Sequence, residues 1–467
     1  MTSRRWSPPD SEICDLKFQI SDPIAVRTPV ATSTSRGSDQ SIRSMKPIKS
    51  YPQSEGRLQS IDALRGIAAL GVVFYHSVWQ SSNAVPGNLF RWPVKSLQFL
   101  SSFGYIGVFL FFVISGFCIH LQWAKGRANG QPQSINFGTF WRRRFRRLYP
   151  PYLIAFALFM AMAALSTGIH FTRFFVYDLG MHLLMLHNLD PNTCYSINGV
   201  FWTLAIEEQL YLAYFLLVFL RSRWGWGPTL LICAAARVGW FMFCHAIWVA
   251  TGIGIPVPEG AASHWFTWAL GAIAVEAAFG IVKLPKWCRN MWLGAAAIVV
   301  ASATSMILPL TQKDTLPHTA VWLLMHPVWG LGFFILVNRA VQAEQSWALQ
   351  RRQRSETTRP PSAARMVPRL VAAAAFVGVF SYSLYLTHEL VLMQSWSFVS
   401  PRLPPVLNTL LIVVPATVVF AWLFFLFCEK PFMRKPARKA EVRIQDTEVS
   451  SQTPLSPGSE LLLTPDS

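Results

Sequence analysis

The sequence predicts an all-α polytopic membrane protein, a bundle of about ten transmembrane helices with both termini in the cytoplasm. Three observations predict this class. Of the 467 residues, 52% are hydrophobic and only 14% are charged, whereas soluble domains carry about 25% charged residues. Ten apolar stretches have close to the ~20 residues that a helix needs to cross the hydrocarbon core. Lys and Arg collect between alternate stretches, on one side of the membrane.

The predicted spans are apolar stretches bounded by polar or basic residues. In chain order they cover residues 61–79, 102–122, 148–168, 200–220, 228–249, 263–281, 291–308, 319–338, 370–396 and 405–428. A further apolar stretch, 174–189, contains Asp178, His182 and His187. Polar groups at that density predict an interfacial or re-entrant helix rather than a full crossing.

The distribution of basic residues predicts the orientation. With a cytoplasmic amino terminus, the inner loops carry 19 Lys and Arg and the outer loops carry 5. This bias places both termini in the cytoplasm, and we expect an integral, multi-pass protein of the plasma (inner) membrane. Because the net charge of +18 is spread over these loops, nucleic acid is not predicted as a partner.

The composition divides the chain into three parts. Residues 58–435 are predicted to form one membrane domain, because they contain all the apolar stretches. Residues 1–57 and 436–467 are polar and rich in Ser, Thr and Pro, so they are predicted to be disordered cytoplasmic tails. The seven cysteines are scattered, without the spacing of a zinc site or a disulfide framework.

The first span, "IDALRGIAALGVVFYH" at 61–76, carries Arg65 and His76. Eleven positions of a helix leave about 20° of rotation, so both lie on one face about 16 Å apart. Ionisable residues inside a membrane are costly and usually functional. His76 can serve as a base or nucleophile, and Arg65 can face an anion. The alternative is an Asp62–Arg65 pair that reaches the interface, with His76 at the outer surface.

The second span contains Gly104, Gly107 and Gly116, which predict a thin surface for the close approach of another helix or a ligand. Before the third span, "WRRRFRRLYPPY" places five arginines in six positions, more than topology requires. Arginines bind phosphates in paired hydrogen bonds, so the segment can hold anionic lipid headgroups or a nucleotide-like cosubstrate. Pro150 and Pro151 are expected to fix the entry of the helix.

Further ionisable residues lie within later spans. Glu207 and Glu208 diverge by about 100° on a helix, so at least one faces the bundle, as a proton relay or a catalytic group. Arg237 and Glu276, on spans five and six, can form a buried pair with a structural or a functional role. The ninth span contains "SYSLYLTHEL", in which Tyr385 and His388 are neighbours on one surface. No hydrolase elbow, phosphate-binding loop or metal-ligand spacing is present.

Together these motifs resemble the membrane acyltransferase-3 family over residues 59–435. The resemblance rests on six motifs in order: Arg65, ten residues, then His76; "FFVISGF"; "RRRFRRLYPPY"; "FWTLAIEEQLYL", with Thr203 in place of the usual Ser; "SYSLYLTH"; and "CEKP".

The resemblance implies an enzyme that transfers an acyl group, chiefly acetyl, from acyl-CoA to a hydroxyl of a sugar, polysaccharide, lipid or other small acceptor. Acyl-CoA is then a cosubstrate, and neither a permanently bound cofactor nor a metal is expected. His76, Arg65 and Glu207 take the catalytic roles. The residues implied to hold the coenzyme are Arg142, Arg143 and Arg146.

Two other classes remain open from the residues themselves. A proton-coupled secondary transporter also places Arg, Glu and His within its spans. A lipid-binding scaffold would use the basic loops to hold anionic headgroups.

Overall fold

The computed structural model describes residues 58–83, 91–131, 135–168, 171–307, 316–353, 363–394 and 405–433. In these ranges every regular element is a helix and there is no strand, which confirms the predicted all-α class. The predicted disordered tails, 1–57 and 436–467, lie outside the described residues.

The helices are numbered in chain order. They are α1 (Gln59–Asn83), α2 (Arg91–Tyr105), α3 (Gly107–Ala128), α4 (Phe137–Thr167), α5 (Arg173–Leu183), α6 (Trp202–Trp224), α7 (Trp226–Thr251), α8 (Ala261–Ala278), α9 (Met291–Ile307), α10 (Leu316–Gln353), α11 (Ala363–Val379), α12 (Ser381–Gln394), α13 (Pro405–Asn408) and α14 (Val414–Phe424). Five-residue π-helical segments, Thr409–Val413 and Phe425–Glu429, flank α14.

Seven helices in the described part of the chain are long and apolar enough to cross a membrane. They are Gln59–Trp79, Phe99–Ala128, Phe137–Ser166, Trp202–Trp224, Trp226–Thr251, Leu323–Gln350 and Thr409–Phe432. An eighth span results if α11 and α12, bent by 72° at their junction, count as one. The two other predicted spans coincide with α8, which is buried and carries Glu276, and with α9, which has 17 residues.

Helix α1 packs against α2, α3, α11 and α12, and glycines bring the backbones into contact. A Cβ at Gly66 would overlap the backbone of α11 at Ala374, and one at Gly104 would overlap the backbone of α1 at Gly71. Small residues allow such close packing in membranes. The thin surface predicted for the second span is therefore a packing surface, and Gly116 meets the backbone of α8 in the same way.

The amino terminus of α1 is held by α10. The Glu344 carboxylate accepts hydrogen bonds from the backbone N–H groups of Gln59 and Ser60, both at 2.9 Å, and from the Ser60 hydroxyl at 2.5 Å. A carboxylate at this position satisfies free N–H groups and complements the helix dipole. The contact fixes the start of the helix that carries Arg65 and His76.

The basic segment is helical, which corrects the expectation that it forms a loop before the third span. Helix α4 begins after Asn136, whose side chain accepts a hydrogen bond from the Thr139 N–H at 2.8 Å. Pro150 and Pro151 lie inside the helix rather than at its entry. Arginine favours helices, so the run of arginines extends α4 by more than two turns.

Helix α5 covers most of the predicted interfacial stretch. It has 11 residues, a length of about 16 Å that is too short to cross the hydrocarbon core. The Tyr149 hydroxyl donates to the Leu183 carbonyl, and the Tyr152 hydroxyl donates to the His182 carbonyl at 3.1 Å. These bonds attach α5 to α4.

Candidate active site

The imidazoles of His76 and His388 meet between α1 and α12. His76 Nδ1 lies 3.0 Å from His388 Nε2, and the ring centroids are 5.0 Å apart. His388 is fully buried, whereas His76 keeps part of its surface exposed. The sequence singled out His76 and noted His388 without a partner, so the contact between them is a finding of the structure.

Glu389 is the third titratable side chain at this place. One of its carboxylate oxygens and a ring nitrogen of each histidine all lie within 4.8 Å of one another. Glu389 Oε2 also accepts a hydrogen bond from the Gly199 N–H at 3.0 Å. Two histidines and a carboxylate are ligand types that a metal ion can use. The separation of the two ring nitrogens is that of a direct hydrogen bond.

The beginning of α6 is joined to α12 beside this pair. The Thr203 hydroxyl lies 2.8 Å from the Tyr385 hydroxyl. The Val200 carbonyl lies 3.0 Å from the first hydroxyl and 3.3 Å from the second. Thr203 replaces the serine of the motif and keeps the hydroxyl that makes these contacts. Two motifs that are far apart in the sequence therefore meet at one hydrogen-bonded junction.

Arg65 lies about three turns before His76 on α1, towards the amino terminus of the helix and the predicted cytoplasmic entrance. A terminal nitrogen of its guanidinium is 3.6 Å from Cys118 Sγ. Its charge interacts with Asp62, Glu207 and Tyr211. The Asp62–Arg65 pairing considered from the sequence is thus one part of a wider cluster that includes α3 and α6.

The two glutamates of α6 have different surroundings. Glu207 accepts hydrogen bonds from the Tyr211 hydroxyl at 3.2 Å and from Ser115, and it interacts with Arg65. Glu208 is 9% exposed, and its Oε1 has no hydrogen-bond partner among the described residues. The expectation that at least one of them faces the bundle is confirmed, since neither is fully exposed.

The five arginines of α4 lie on two faces of the helix, one exposed and one partly buried. The three that the resemblance assigns to the coenzyme are exposed, and Arg144 and Arg147 are partly buried. The Arg144 guanidinium lies over the Phe140 ring, 5.5 Å from its centroid. Arg147 interacts with Arg65 and Glu429, and its buried Nε has no hydrogen-bond partner in the described part of the chain. The exposed three are Arg142, Arg143 and Arg146.

Two charged side chains to which the resemblance assigned no role, Arg147 and Glu429, interact with each other, and Arg147 also interacts with Arg65. Glu429 belongs to the "CEKP" motif, and its Oε2 accepts a hydrogen bond from the Ser383 hydroxyl at 2.6 Å. Arg144 and Arg147 are three positions apart, a spacing that places them on one face of a helix. That spacing was the available signal, and treating the segment as a loop hid it.

Glu276 lies in a separate cluster and is not paired with Arg237. Its two oxygens accept hydrogen bonds from Arg221 Nε at 2.7 Å and a terminal nitrogen of Arg221 at 2.6 Å. His120 Nε2 lies 2.9 Å away, and Trp226 Nε1 donates at 3.0 Å. These bonds join α3, α6, α7 and α8 around one carboxylate.

Arg237 instead contacts backbone atoms. It donates to the Ser263 carbonyl at 2.6 Å and to the Leu323 carbonyl at 3.2 Å, and it lies 3.4 Å from His326 Nδ1. It therefore connects α7 to α8 and α10. The pair considered from the sequence does not form, because the two side chains find partners on different helices.

The fold and this site define a multi-pass membrane protein in which one central helix presents an arginine and a histidine to the bundle interior. The family described as the acyltransferase domain matches residues 58–427, and the chain belongs to that family. The match includes every described site residue except Glu429.

Among curated proteins, the chain is similar to a peptidoglycan O-acetyltransferase, OatA, of Listeria monocytogenes. The two are 31% identical over 207 residues, 41% of this chain and 28% of the relative. It is also similar to the O-acetyltransferase OatA of Staphylococcus aureus, at 28% identity over 233 residues, 46% of this chain and 34% of the relative. The chain thus matches only about a third of the length of these relatives.

A third relative is covered more fully. The acyltransferase MdmB of Streptomyces mycarofaciens is 27% identical over 272 residues, which are 55% of this chain and 64% of that protein. No solved structure matches the chain.

Proposed function

We propose that this protein is an integral membrane O-acyltransferase that moves an acyl group, in the first instance acetyl, from acyl-CoA to a hydroxyl of a carbohydrate, lipid or other small acceptor. The observation that carries the proposal is the contact of the His76 imidazole with His388. His76 lies on α1, the helix that also carries Arg65. The relatives' printed names, two O-acetyltransferases and an acyltransferase, support the transfer of an acyl group to oxygen.

The arginines of α4 are proposed to hold the phosphates of the coenzyme. Guanidinium groups bind phosphate oxygens through paired, charge-assisted hydrogen bonds. The exposed members, Arg142, Arg143 and Arg146, would meet the coenzyme at the surface of the bundle. Arg147 extends the basic surface inward to Arg65, so the two can hold negative charge deeper in the protein.

His76 is proposed to take the proton from the acceptor hydroxyl while the oxygen attacks the thioester carbonyl. The carbon–sulfur bond then breaks, the coenzyme leaves as thiolate, and the proton on the imidazole neutralises that thiolate. In the second version of the reaction, His76 attacks the thioester itself and passes the acyl group to the hydroxyl. Arg65 lies about 16 Å from His76 along the helix, which favours positioning of the coenzyme over a role at the carbonyl.

The membrane topology is proposed to have ten crossings with both termini in the cytoplasm of a plasma-membrane protein. The excess of Lys and Arg in alternate loops supports this orientation. Helices α8 and α9 would add two crossings to the eight described above, with lengths of about 27 and 26 Å. In this orientation the arginines of α4 face the compartment that contains acyl-CoA.

The test uses the full chain in liposomes with radiolabelled acetyl-CoA. Acceptors are peptidoglycan fragments, a phospholipid and water, and both the released thiol and the labelled product are measured. We expect His76→Gln to lower transfer by a factor of about 10² to 10⁴. The matched control is His245→Gln, at an exposed position of α7, which should transfer acetyl like the unaltered protein.

Full acetyl transfer by a properly inserted His76→Gln protein would overturn the proposed role of this residue. Uptake of a solute that proceeds without acyl-CoA and survives the substitution would instead favour the transporter. Mass spectrometry of envelope glycans and metabolites, from cells with and without the protein, would then identify the acceptor by the added acetyl mass.

A further inference from the structure

The geometry points to His388 as a positioning residue that fixes the tautomer of His76, so that Nε2 of His76 is the nitrogen that reacts. The chemical consequence rests on the proposed function. The tautomer itself follows from hydrogen bonds alone and is measurable without any substrate.

The first step concerns the proton on His388. Its Nδ1 lies 2.8 Å from the Tyr385 carbonyl oxygen and 3.2 Å from the Leu384 carbonyl oxygen. A backbone carbonyl can only accept a hydrogen bond, so Nδ1 of His388 must carry the hydrogen. Because this side chain is fully buried, solvent does not compete for either ring nitrogen. The Nε2 of neutral His388 is therefore an acceptor.

The second step passes this assignment to His76. A neutral imidazole has one donor and one acceptor nitrogen, and the hydrogen bond at one nitrogen decides the role of the other. At 3.0 Å from the acceptor Nε2 of His388, Nδ1 of His76 must donate. The lone pair of His76 is then on Nε2, which is free to accept a proton or to attack a carbonyl. His76 thus donates to His388, and His388 donates to the Tyr385 carbonyl of α12.

The third step is the rigidity of the partner. Helix α12 is held next to the chain that enters α6 by the Thr203–Tyr385 contact at 2.8 Å and by the bond from the Gly199 N–H to Glu389 at 3.0 Å. Its other end is set by the 72° bend from α11. Since Tyr385 also supplies the carbonyl that orients His388, the same residue anchors the helix and fixes the ring.

The arrangement has a consequence for the transfer step. When Nε2 of His76 takes the proton of the acceptor hydroxyl, the ring becomes a cation, and its Nδ1–H bond to His388 becomes charge-assisted and stronger. The nearby Glu389 carboxylate adds a stabilising charge to this cation. His388 itself gains and loses no proton. It acts through His76 and touches neither the thioester nor the acceptor.

The direct test is the ring-nitrogen NMR spectrum of the full chain, labelled with ¹⁵N-histidine and held in lipid bilayers. The His76 signals are those lost in His76→Gln. We expect a protonated Nδ1 and an unprotonated Nε2 in the unaltered protein. In His388→Phe, which fills the volume and removes the acceptor, the hydrogen should redistribute to Nε2. His388→Gln, whose carbonyl can accept, should keep it on Nδ1.

Three results would overturn the assignment. They are a hydrogen on Nε2 of His76 in the unaltered protein, an unchanged tautomer in His388→Phe, and ring signals that move when a chelator is added. The last would show that a cation bridges the two rings. If His388→Phe does not fold, the spectra of the unaltered protein and of His388→Gln still decide. The control is Thr387→Val, a buried neighbour whose hydroxyl donates to the Ser383 carbonyl of the same helix at 2.8 Å.

Acetyl transfer then tests the consequence separately. Relative to the unaltered protein, His388→Phe should lower kcat about a hundredfold with little change in KM for acetyl-CoA, within the range of general acid–base effects. His388→Gln should restore most of that loss, and Thr387→Val should cause none. A correct tautomer without any transfer from acetyl-CoA would leave the hydrogen-bond assignment intact and reject the proposed function instead. Equal activity of His388→Phe and the unaltered protein would reject the positioning role.

Discussion

Two buried polar clusters of this protein differ in how completely their charges are paired. Around Glu276, both carboxylate oxygens are bound, by Arg221, His120 and Trp226. Around Arg144, which interacts with both Arg147 and Glu208, Arg147 Nε and Glu208 Oε1 have no hydrogen-bond partner among the described residues. Both clusters lie within the bundle and use similar side chains.

The difference separates a cluster with a structural role from the proposed coenzyme-binding site. Buried polar groups in native proteins are almost always hydrogen-bonded, and each exception requires an explanation. The paired cluster around Glu276 joins four helices and offers no free group to a ligand. Arg147 Nε belongs to α4, where a phosphate oxygen of the proposed coenzyme would accept its missing hydrogen bond.

The largest expected effect comes from breaking the paired cluster. Glu276→Gln leaves the Arg221 guanidinium, which is 12% exposed, without its counter-charge. Removing one partner of a buried ion pair costs about 3–5 kcal/mol. We therefore expect a large loss of thermal stability, measured by the unfolding temperature of the protein in detergent. A variant as stable as the unaltered protein would show that Glu276 does not hold the helices together.

The second effect is on binding rather than on stability. Arg147→Gln should raise KM for acyl-CoA about 10- to 100-fold, because a hydrogen bond to a charged group contributes about 1.5–3 kcal/mol. Its unfolding temperature should change little, since the buried Nε of Arg147 has no hydrogen bond to lose among the described residues. Steady-state kinetics and thermal unfolding of the same preparation measure both quantities.

Two comparisons sharpen that result. Lys286→Gln removes an exposed positive charge from the segment between α8 and α9 and should leave KM unchanged. Arg142→Gln should raise KM by a smaller factor than Arg147→Gln, because its side chain is exposed and exposed ionic contacts are weak. An Arg142→Gln effect larger than that of Arg147→Gln would place the phosphates on the outer face of α4.

A smaller effect is expected where α6 meets α12. Thr203→Val removes the hydroxyl that contacts Tyr385 and should lower the rate of acyl transfer about fivefold, the equivalent of one hydrogen bond of about 1 kcal/mol. Thr203→Ser keeps the hydroxyl and should be close to the unaltered protein. Equal rates for the valine and serine variants would show that this junction does not affect the site.

The smallest effect on stability should be that of Glu208→Gln. This substitution is the matched counterpart of Glu276→Gln, since it makes the same chemical change at a buried glutamate of the other cluster. Because Glu208 Oε1 has no partner to lose, the unfolding temperature should stay constant or rise slightly. A fall as large as that of Glu276→Gln would remove the distinction between the two clusters.

Two sequence-based expectations are corrected by the structure. A pairing of Arg237 with Glu276 was considered possible from their charges, but Glu276 pairs with Arg221, on α6. The arginines of α4 were treated as a loop, so the inward direction of Arg147 was missed. The first error concerns which helix a side chain meets, and the second concerns where α4 begins, which in turn decides the direction of Arg147.

The sequence by itself determined the all-helical membrane class, most of the spans and the placement of Arg65 and His76 on one face of the first helix. Hydropathy and helical spacing are local properties, so they follow from a single segment of chain. Only the tertiary structure decided that His388 contacts His76, that Glu276 pairs with Arg221 and that Arg147 approaches Arg65. Those contacts depend on how distant helices pack against one another, and the amino-acid order within any one helix does not specify that packing.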